Sequence, residues 1–433
     1  MDYAIPTGAL LVIGVVLAVV AQVKGWRPSL AVTLAVGIGA RVVILVFSAV
    51  EAWQPIDYIN SFRPAGQAVL DHTNPINSGW HFLPTIPYVY GLLMAVGIPW
   101  SVAGRLVTVV ADIILIPLVG KLAANETSRL RAFQYACNPL AILVASLHGQ
   151  VEPVSLVFAV GAYVVARGPS WTPGPWLLSR PSDMWRQLVA PDGATRRAVY
   201  AGLLMGMALC AKSWPVILIP GMLLFLPSLR SRLVSLVMAA VPPVLFLLSM
   251  PLGGWIRWDQ LSEVLRTIGL RPSDVRPITG EWGWTALLNH GDYELTAWKL
   301  KVGQYLIYAA AAACLIVWRR AHPVDVTIAV VLAFMIFTPR LGAQYLMWFM
   351  PFLVARPTRW AWPCIIGCSA WAATGYLVLT QFRAQDWAAL HAPWAMSSVL
   401  LFPLIIAAMP WERLRMRSGP PPAPNLAAPA MTT

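Results

Sequence analysis

Apolar runs recur along nearly the whole chain, at about 7–23, 29–51, 101–122, 131–148, 152–167, 197–211, 214–228, 233–251, 299–318, 323–338, 343–356, 359–380 and 394–410. A membrane-crossing helix needs about 20 predominantly apolar residues, and several of these runs are short by that measure. Polar positions gather between the runs, above all in two large loops, 52–100 and 252–298. The pattern predicts an all-α polytopic membrane protein with about 12–13 transmembrane helices. It forms one integral-membrane domain over 1–411, followed by a disordered cytoplasmic tail, 412–433, ending SGPPPAPNLAAPAMTT.

The loop after the second run reads WQPIDYINSFRPAGQAVLDHTNPINSGWHFLPTIPYVYGLLMAVGIP. Its segment 84–98 is bracketed by Pro84, Pro87 and Pro99 and is too short to cross. It is expected to be a re-entrant or interfacial helix, with a second such helix at Arg63–His72, where Pro64 suits a first helical turn. Lys and Arg in short loops set the orientation. Lys24, Arg27, Lys121, Arg129, Arg131, Arg167, Arg196, Arg197, Arg230, Arg232, Arg319, Arg320, Arg356 and Arg359 fall in one set of loops, expected to be cytoplasmic. Most acids fall in the opposite set, including Glu51, Asp57, Asp71, Glu152, Asp259 and Glu263. The first loop is then a large outer loop with two helices lying along the membrane. The second carries Trp255, Trp258, Trp282 and Trp284, which fit an interfacial belt or a sugar-stacking platform equally well.

Composition narrows the function. Only 11% of the 433 residues are charged, and mean hydropathy is +0.66. The net charge of +13 does not point to nucleic acid, because the basic residues sit in short loops between spans and form no patch or tail. Cys137, Cys210, Cys314, Cys364 and Cys368 all lie in apolar runs without metal-ligand spacing and read as small core residues. The first apolar run lacks the basic start and small-residue exit of a cleavable leader. No phosphate-binding glycine loop, zinc helix or nucleophile elbow is present, so no soluble nucleotide-binding domain and no cofactor are expected. An enzyme built this way takes its activated substrate from the lipid phase.

Chemistry is expected at the outer corners. Asp57, at the mouth of a span, suits general-base work, although a loop acid or a helix cap is the plainer reading. His148, Gln150 and Glu152 lie in SLHGQVEPVS, a sharp corner made by Gly149 and Pro153, where a hydrogen-bonded turn is the structural alternative. Lys212, in LCAKSWPVIL, is a lysine at membrane depth, costly and therefore often functional; it suits a phosphate, or it snorkels to the interface. Arg340, in FTPRLGAQYLMWFMP, precedes Gln344, Tyr345 and Trp348, which fits phosphate plus sugar recognition or a helix-end anchor. Arg41 and Asp112, each inside a span, are read as a structural pair.

Taken in order, GAR (39–41), IDYINSFRPAGQAVL, HGQVEP, AGLLMGMALCAKSWP and TPRLGAQYLMWFMP resemble the GT-C glycosyltransferases. Within them the likeness is to the actinobacterial polyprenyl-phosphate-mannose-dependent α-mannosyltransferases that elongate phosphatidylinositol mannosides and lipomannan. The resemblance implies a GT-C fold with the large first outer loop. It implies a polyprenyl-phosphate sugar donor, a glycolipid or lipid-linked glycan acceptor, and an active site on the extracytoplasmic face of the plasma membrane. It places the catalytic acid on Asp57 and donor-phosphate binding on Lys212 and Arg340. Tyr58, His148, Gln150, Glu152, Gln344, Tyr345 and Trp348 are then assigned to sugar and acceptor. The histidine pair often found at the family's late corner is replaced here by Gln344 and Tyr345, and the first loop has one acid, Asp57 followed by Tyr58, where other branches have two, so no metal is expected. Three other readings stay open: a transporter or flippase of a lipid-linked sugar, which would show related halves with broken helices; an arabinosyl or other pentosyl or hexosyl transferase of the same fold; and an O-antigen-ligase-like polymerase, which would need a large basic late loop such as 252–298 with Arg257, Arg266, Arg271 and Arg276.

Overall fold

A computed structural model describes residues 3–124, 126–168, 188, 193–268, 282–291 and 297–415. Most of the loop 168–196, expected to be cytoplasmic, lies outside the described residues with its Arg180 and Arg186, as do 269–281 and 292–296 of the second large loop and the tail from 416. The protein is an all-α polytopic membrane protein. Among the described residues no strand forms; a single bridge joins Trp282 to Leu341.

Among the described residues seven helices are long and apolar enough to cross a membrane: Ala4–Lys24, Leu30–Val50, Trp100–Ala123, Leu229–Leu252, Trp298–Val317, Ala361–Phe382 and Ala384–Leu414. The other apolar runs fold as shorter pieces. They include Pro139–His148, Trp214–Leu223, Pro323–Phe337 and Ala343–Ala355. The unbroken spans expected at 131–148, 214–228 and 343–356 are therefore interrupted. The causes are local. Asn138 accepts from the backbone N–H groups of Leu140 and Ala141, so a new helix starts at Pro139. Pro215 and Pro351 likewise sit in the first turns of new helices.

The short helices are central. In Pro323–Phe337 every residue from Pro323 to Ala333 is buried, as suits a helix that is apolar on all sides. The long helices ring them and turn wide apolar faces outward: Val12, Val16 and Val23, Val42 and Val46, Val237 and Leu245 are all exposed. Such a surface is stable only in lipid.

Buried ion pairs and glycine contacts hold the ring together. Arg41 Nε donates to Asp112 Oδ2 at 2.7 Å, as their placement in neighbouring spans predicted, and Tyr135 donates to the other carboxylate oxygen at 2.7 Å. Asp325 accepts from Arg356 at 3.0 and 2.9 Å and from Arg413, which anchors the end of the last helix. Helices Thr195–Ala211 and Leu229–Leu252 meet along Gly202 and Gly206, a G-x-x-x-G spacing. A Cβ on Gly202 would stand 2.3 Å from the Ser235 carbonyl oxygen, and one on Gly206 2.6 Å from that of Ala239. Small residues of this kind let backbones approach where lipid offers no hydrophobic drive.

The first large loop contains the two short helices its sequence predicted, ending a little earlier than expected, at Arg63–Leu70 and Thr85–Ala95. They pack on Tyr58, Phe62, Trp80, Ile86 and Tyr90. Ile256 and Val264 of the second loop join the same cluster, and Trp255 donates to the Val69 carbonyl at 3.0 Å. The four loop tryptophans do not act as one set. Trp282 packs edge-on to Trp371 and Trp394, Trp284 donates to the Phe337 carbonyl, and Trp258 is exposed. They form no single stacked platform.

Replacing Gly206 by Leu is expected to force the two helices apart and to cost about 1–3 kcal/mol or more. The measurement is the melting temperature in detergent; a melting temperature equal to that of the parent would contradict the close contact.

Candidate active site

Three backbone segments among the described residues are π-helical, a wide form common at functional sites. They are Tyr58–Phe62, Leu143–His148 and Thr374–Phe382. Each delivers a side chain to one place: Tyr58, His148 and Tyr376. Asp57 directly precedes the first of them and is exposed.

A hydrogen-bonded row runs inward from Asp57. Gln150 Nε2 donates to Asp57 Oδ2 at 2.7 Å and lies 3.2 Å from His148 Nε2. His148 Nδ1 is 2.7 Å from the Tyr376 hydroxyl. Because the amide nitrogen can only donate, His148 Nε2 is the acceptor, so its proton sits on Nδ1 and points to Tyr376. Gly149, at φ 73°, makes the turn between His148 and Gln150. A Cβ there would stand 3.0 Å from Arg105 Cγ and 3.2 Å from Tyr58 Cε2.

Tyr58 and Arg105 form the floor. The Arg105 guanidinium lies 4.3 Å from the centre of the Tyr58 ring and donates to the Leu147 carbonyl at 3.0 Å and to Gln54 Oε1 at 2.7 Å. The Tyr58 hydroxyl donates to the Trp100 carbonyl at 2.5 Å. Burial pushes the Tyr58 phenol up to about 12, with Arg105 pulling the other way.

The second half of the site is a buried ion pair. Lys212 Nζ lies 2.5 Å from Glu152 Oε1, with Lys212 7% and Glu152 0% exposed. Glu152 opens its helix directly after the His148–Gln150 corner, and Lys212 ends the helix Thr195–Ala211 in extended backbone. Aromatic rings wall the cation: Phe82 of the first loop at 5.5 Å and Tyr345 at 5.8 Å from Nζ. Tyr345 packs against Trp348 at 4.6 Å, and Trp348 stacks on Trp214 at 4.0 Å and 7°. His148 is within electrostatic reach of Asp57, Lys212 and Arg105, which ties the two halves together.

The residues expected at separate corners thus converge. Asp57, Tyr58, His148, Gln150, Glu152, Lys212, Tyr345 and Trp348 share one polar centre. Arg340 and Gln344 stand at its edge. Arg340 is half-buried, its Nε has no protein partner, and it is electrostatically linked to Tyr345; Gln344 packs over Gly342. Thr285 braces this corner by donating to the Pro339 carbonyl at 2.9 Å. Reading the sequence missed Arg105, Gln54, Tyr376 and Phe82. Arg105 carried a signal, being a charge within an apolar run; the other three carried none.

Several polar atoms here lack a protein partner although buried: Gln150 Oε1, Glu152 Oε2 and the indole nitrogens of Trp214 and Trp348. Unpaired buried groups are uncommon and mark places where something else can bind. Among the described residues no three His, Cys, Asp or Glu side chains are grouped to hold a metal ion. The chemistry on offer is an exposed carboxylate that can take a proton, a buried cation that can meet an anion, and aromatic faces between them.

Fold and site define a polytopic helical membrane protein with a polar centre enclosed by short helices and loop aromatics. Compared with known protein families, curated proteins and solved structures, the chain matches none.

Two measurements probe this centre. Lys212→Met strands a buried carboxylate and is expected to cost about 3–5 kcal/mol, while Lys212→Met with Glu152→Leu recovers most of it; thermal melting in detergent measures both. For Tyr58, the unfolded phenol ionises near 10.0 and the folded one near about 12. Its contribution to stability is whole below pH 10.0 and is lost as the pH rises through about 12. Tyr58→Phe should therefore lose less stability than the parent across that window, as followed by denaturation at a series of pH values.

Proposed function

We propose that the protein is a glycosyltransferase of GT-C type. It moves a sugar, mannose in the first instance, from a polyprenyl-phosphate donor to a hydroxyl of a glycolipid or lipid-linked glycan. The work is done on the extracytoplasmic face of the cell membrane, with inversion at the anomeric carbon. One observation carries the reading: the exposed carboxylate of Asp57, held by the Gln150 amide, and the buried Lys212 cation, walled by aromatic rings, both lie within electrostatic reach of His148. A transfer from a lipid phosphate to a hydroxyl needs a base, a cation for the departing phosphate and ring faces for the sugar, and the three are supplied together.

In this mechanism the polyprenyl chain stays among the helices and its phosphate meets Lys212, with Arg340 as the second cation. Lys212 has three N–H donors, so a phosphate oxygen can join Glu152 on the ammonium without displacing it. Asp57 takes the proton of the acceptor hydroxyl as that oxygen attacks the anomeric carbon from the face opposite the phosphate. The C–O bond to phosphate breaks, and polyprenyl phosphate leaves with its electron pair. Gln150 keeps the acid turned toward the acceptor. Positioning and fixed charge supply most of the acceleration.

Asp57→Asn is nearly isosteric and keeps a hydrogen-bonding group beside Gln150. Transfer from radiolabelled polyprenyl-phosphate mannose to a lipid acceptor should fall about 10²- to 10⁴-fold in this variant, with the melting temperature held. Undiminished product formation by Asp57→Asn would sink the assignment of the base. Movement of the donor across liposomes with no product from the parent would favour a flippase instead.

A further inference from the structure

The Gln150 side chain is satisfied on one side only. Its nitrogen must face Asp57, since the opposite orientation would set an amide oxygen against a carboxylate oxygen with no hydrogen between them. The same nitrogen lies 3.2 Å from His148 Nε2, which leaves Oε1 with no part in either contact. That oxygen is buried, in a residue 1% exposed, and has no hydrogen-bond partner in the protein. By the bond lengths of an amide it lies within about 5 Å of Asp57 Oδ2. Oε1 and Nε2 belong to one planar amide, so Oε1 keeps this distance from the acid as long as the N–H to Asp57 is kept.

The geometry points to Gln150 Oε1 as the acceptor for a second hydroxyl of the incoming sugar, the neighbour of the one that Asp57 deprotonates. The inference rests on the glycosyl-transfer reading and sharpens it: the acceptor is a sugar that presents a vicinal diol. One hydroxyl gives its proton to Asp57 as it attacks. The other donates a hydrogen bond to Gln150 Oε1, and no bond is made or broken there. A monodeoxy acceptor leaves that buried oxygen unpaired during the reaction. A site arranged to pair a substrate hydroxyl discriminates strongly against its absence.

The experiment uses the full-length protein in detergent with polyprenyl-phosphate [³H]mannose. Octyl glycosides of mannose, glucose, galactose and arabinose are screened as acceptors. The accepted one is then compared with its full set of monodeoxy analogues. The analogue lacking the attacked hydroxyl should give no product. One analogue lacking a neighbouring hydroxyl should fall roughly ten- to a hundredfold in kcat/KM with the parent protein. Gln150→Leu should slow the complete acceptor to the level of that analogue, so that the two are no longer told apart. Equal use of the complete acceptor and every neighbouring-deoxy analogue by the parent protein would overturn the inference and leave the transferase reading standing. So would a Gln150→Leu protein that keeps the parent's discrimination. No product from any octyl glycoside would overturn both. Should Gln150→Leu fail to fold, the parent's ratios decide alone, and Gln150→Asn, which keeps the amide but shortens its reach, supplies the second variant.

Discussion

Arg41 with Asp112, Lys212 with Glu152, and Asp325 with Arg356 and Arg413 are ions that meet their opposites across different helices. In an apolar interior an unpaired charge costs several kcal/mol, so each pair fixes which helices stand side by side. The first joins Leu30–Val50 to Trp100–Ala123, the helices that flank the large loop. The second joins the His148–Glu152 corner to the end of Thr195–Ala211. The third ties Pro323–Phe337 to the last helix. The polar centre depends on the second pair, because it brings the acid-bearing corner and the lysine corner to one point.

Packing is then set by the surface each helix must cover. Inner and outer helices are both apolar on nearly every side, and the outer ones leave theirs exposed to lipid. Glycines let Thr195–Ala211 and Leu229–Leu252 approach closely, which sets the Lys212 corner at a fixed height. The loop helices Arg63–Leu70 and Thr85–Ala95 close over it, and Phe82 between them reaches the lysine. The same segment that shields the cation also carries, some residues earlier, the exposed Asp57. Cover and chemistry are therefore supplied by one stretch of chain.

Much of this could be read from the residues. Long apolar runs announce themselves by composition, so six of the seven long helices fall where hydropathy puts them, while the last, expected at 394–410, begins at Ala384. Arg41 and Asp112 were legible as opposite charges in neighbouring spans. The corners at 57, 148–152, 212 and 340 were legible as polar residues beside glycine or proline at the ends of runs. Their convergence was not, because Glu152 and Lys212 are 60 residues apart and no local pattern records a pairing. The broken helices were hidden for a similar reason: an apolar run gives the same signal whether or not a cap at Asn138 or a proline at 351 restarts it. Tyr376 is one tyrosine in an apolar stretch, and nothing around it marks its bond to His148.

The three π-helical segments carry one more consequence. A π turn holds one residue more than an α-helical path of the same length, so the orientation of Tyr58, His148 and Tyr376 is set by chain count as much as by residue identity. Removing a single residue from any of these segments would let it relax to ordinary helix, and a side chain within it would turn by about 100° from its present aim. Phase, then, is a hidden variable of this centre. Lineages that keep every polar side chain but drop one residue upstream would hold the same letters aimed elsewhere, whereas conservative replacements within the segments would leave the aim intact.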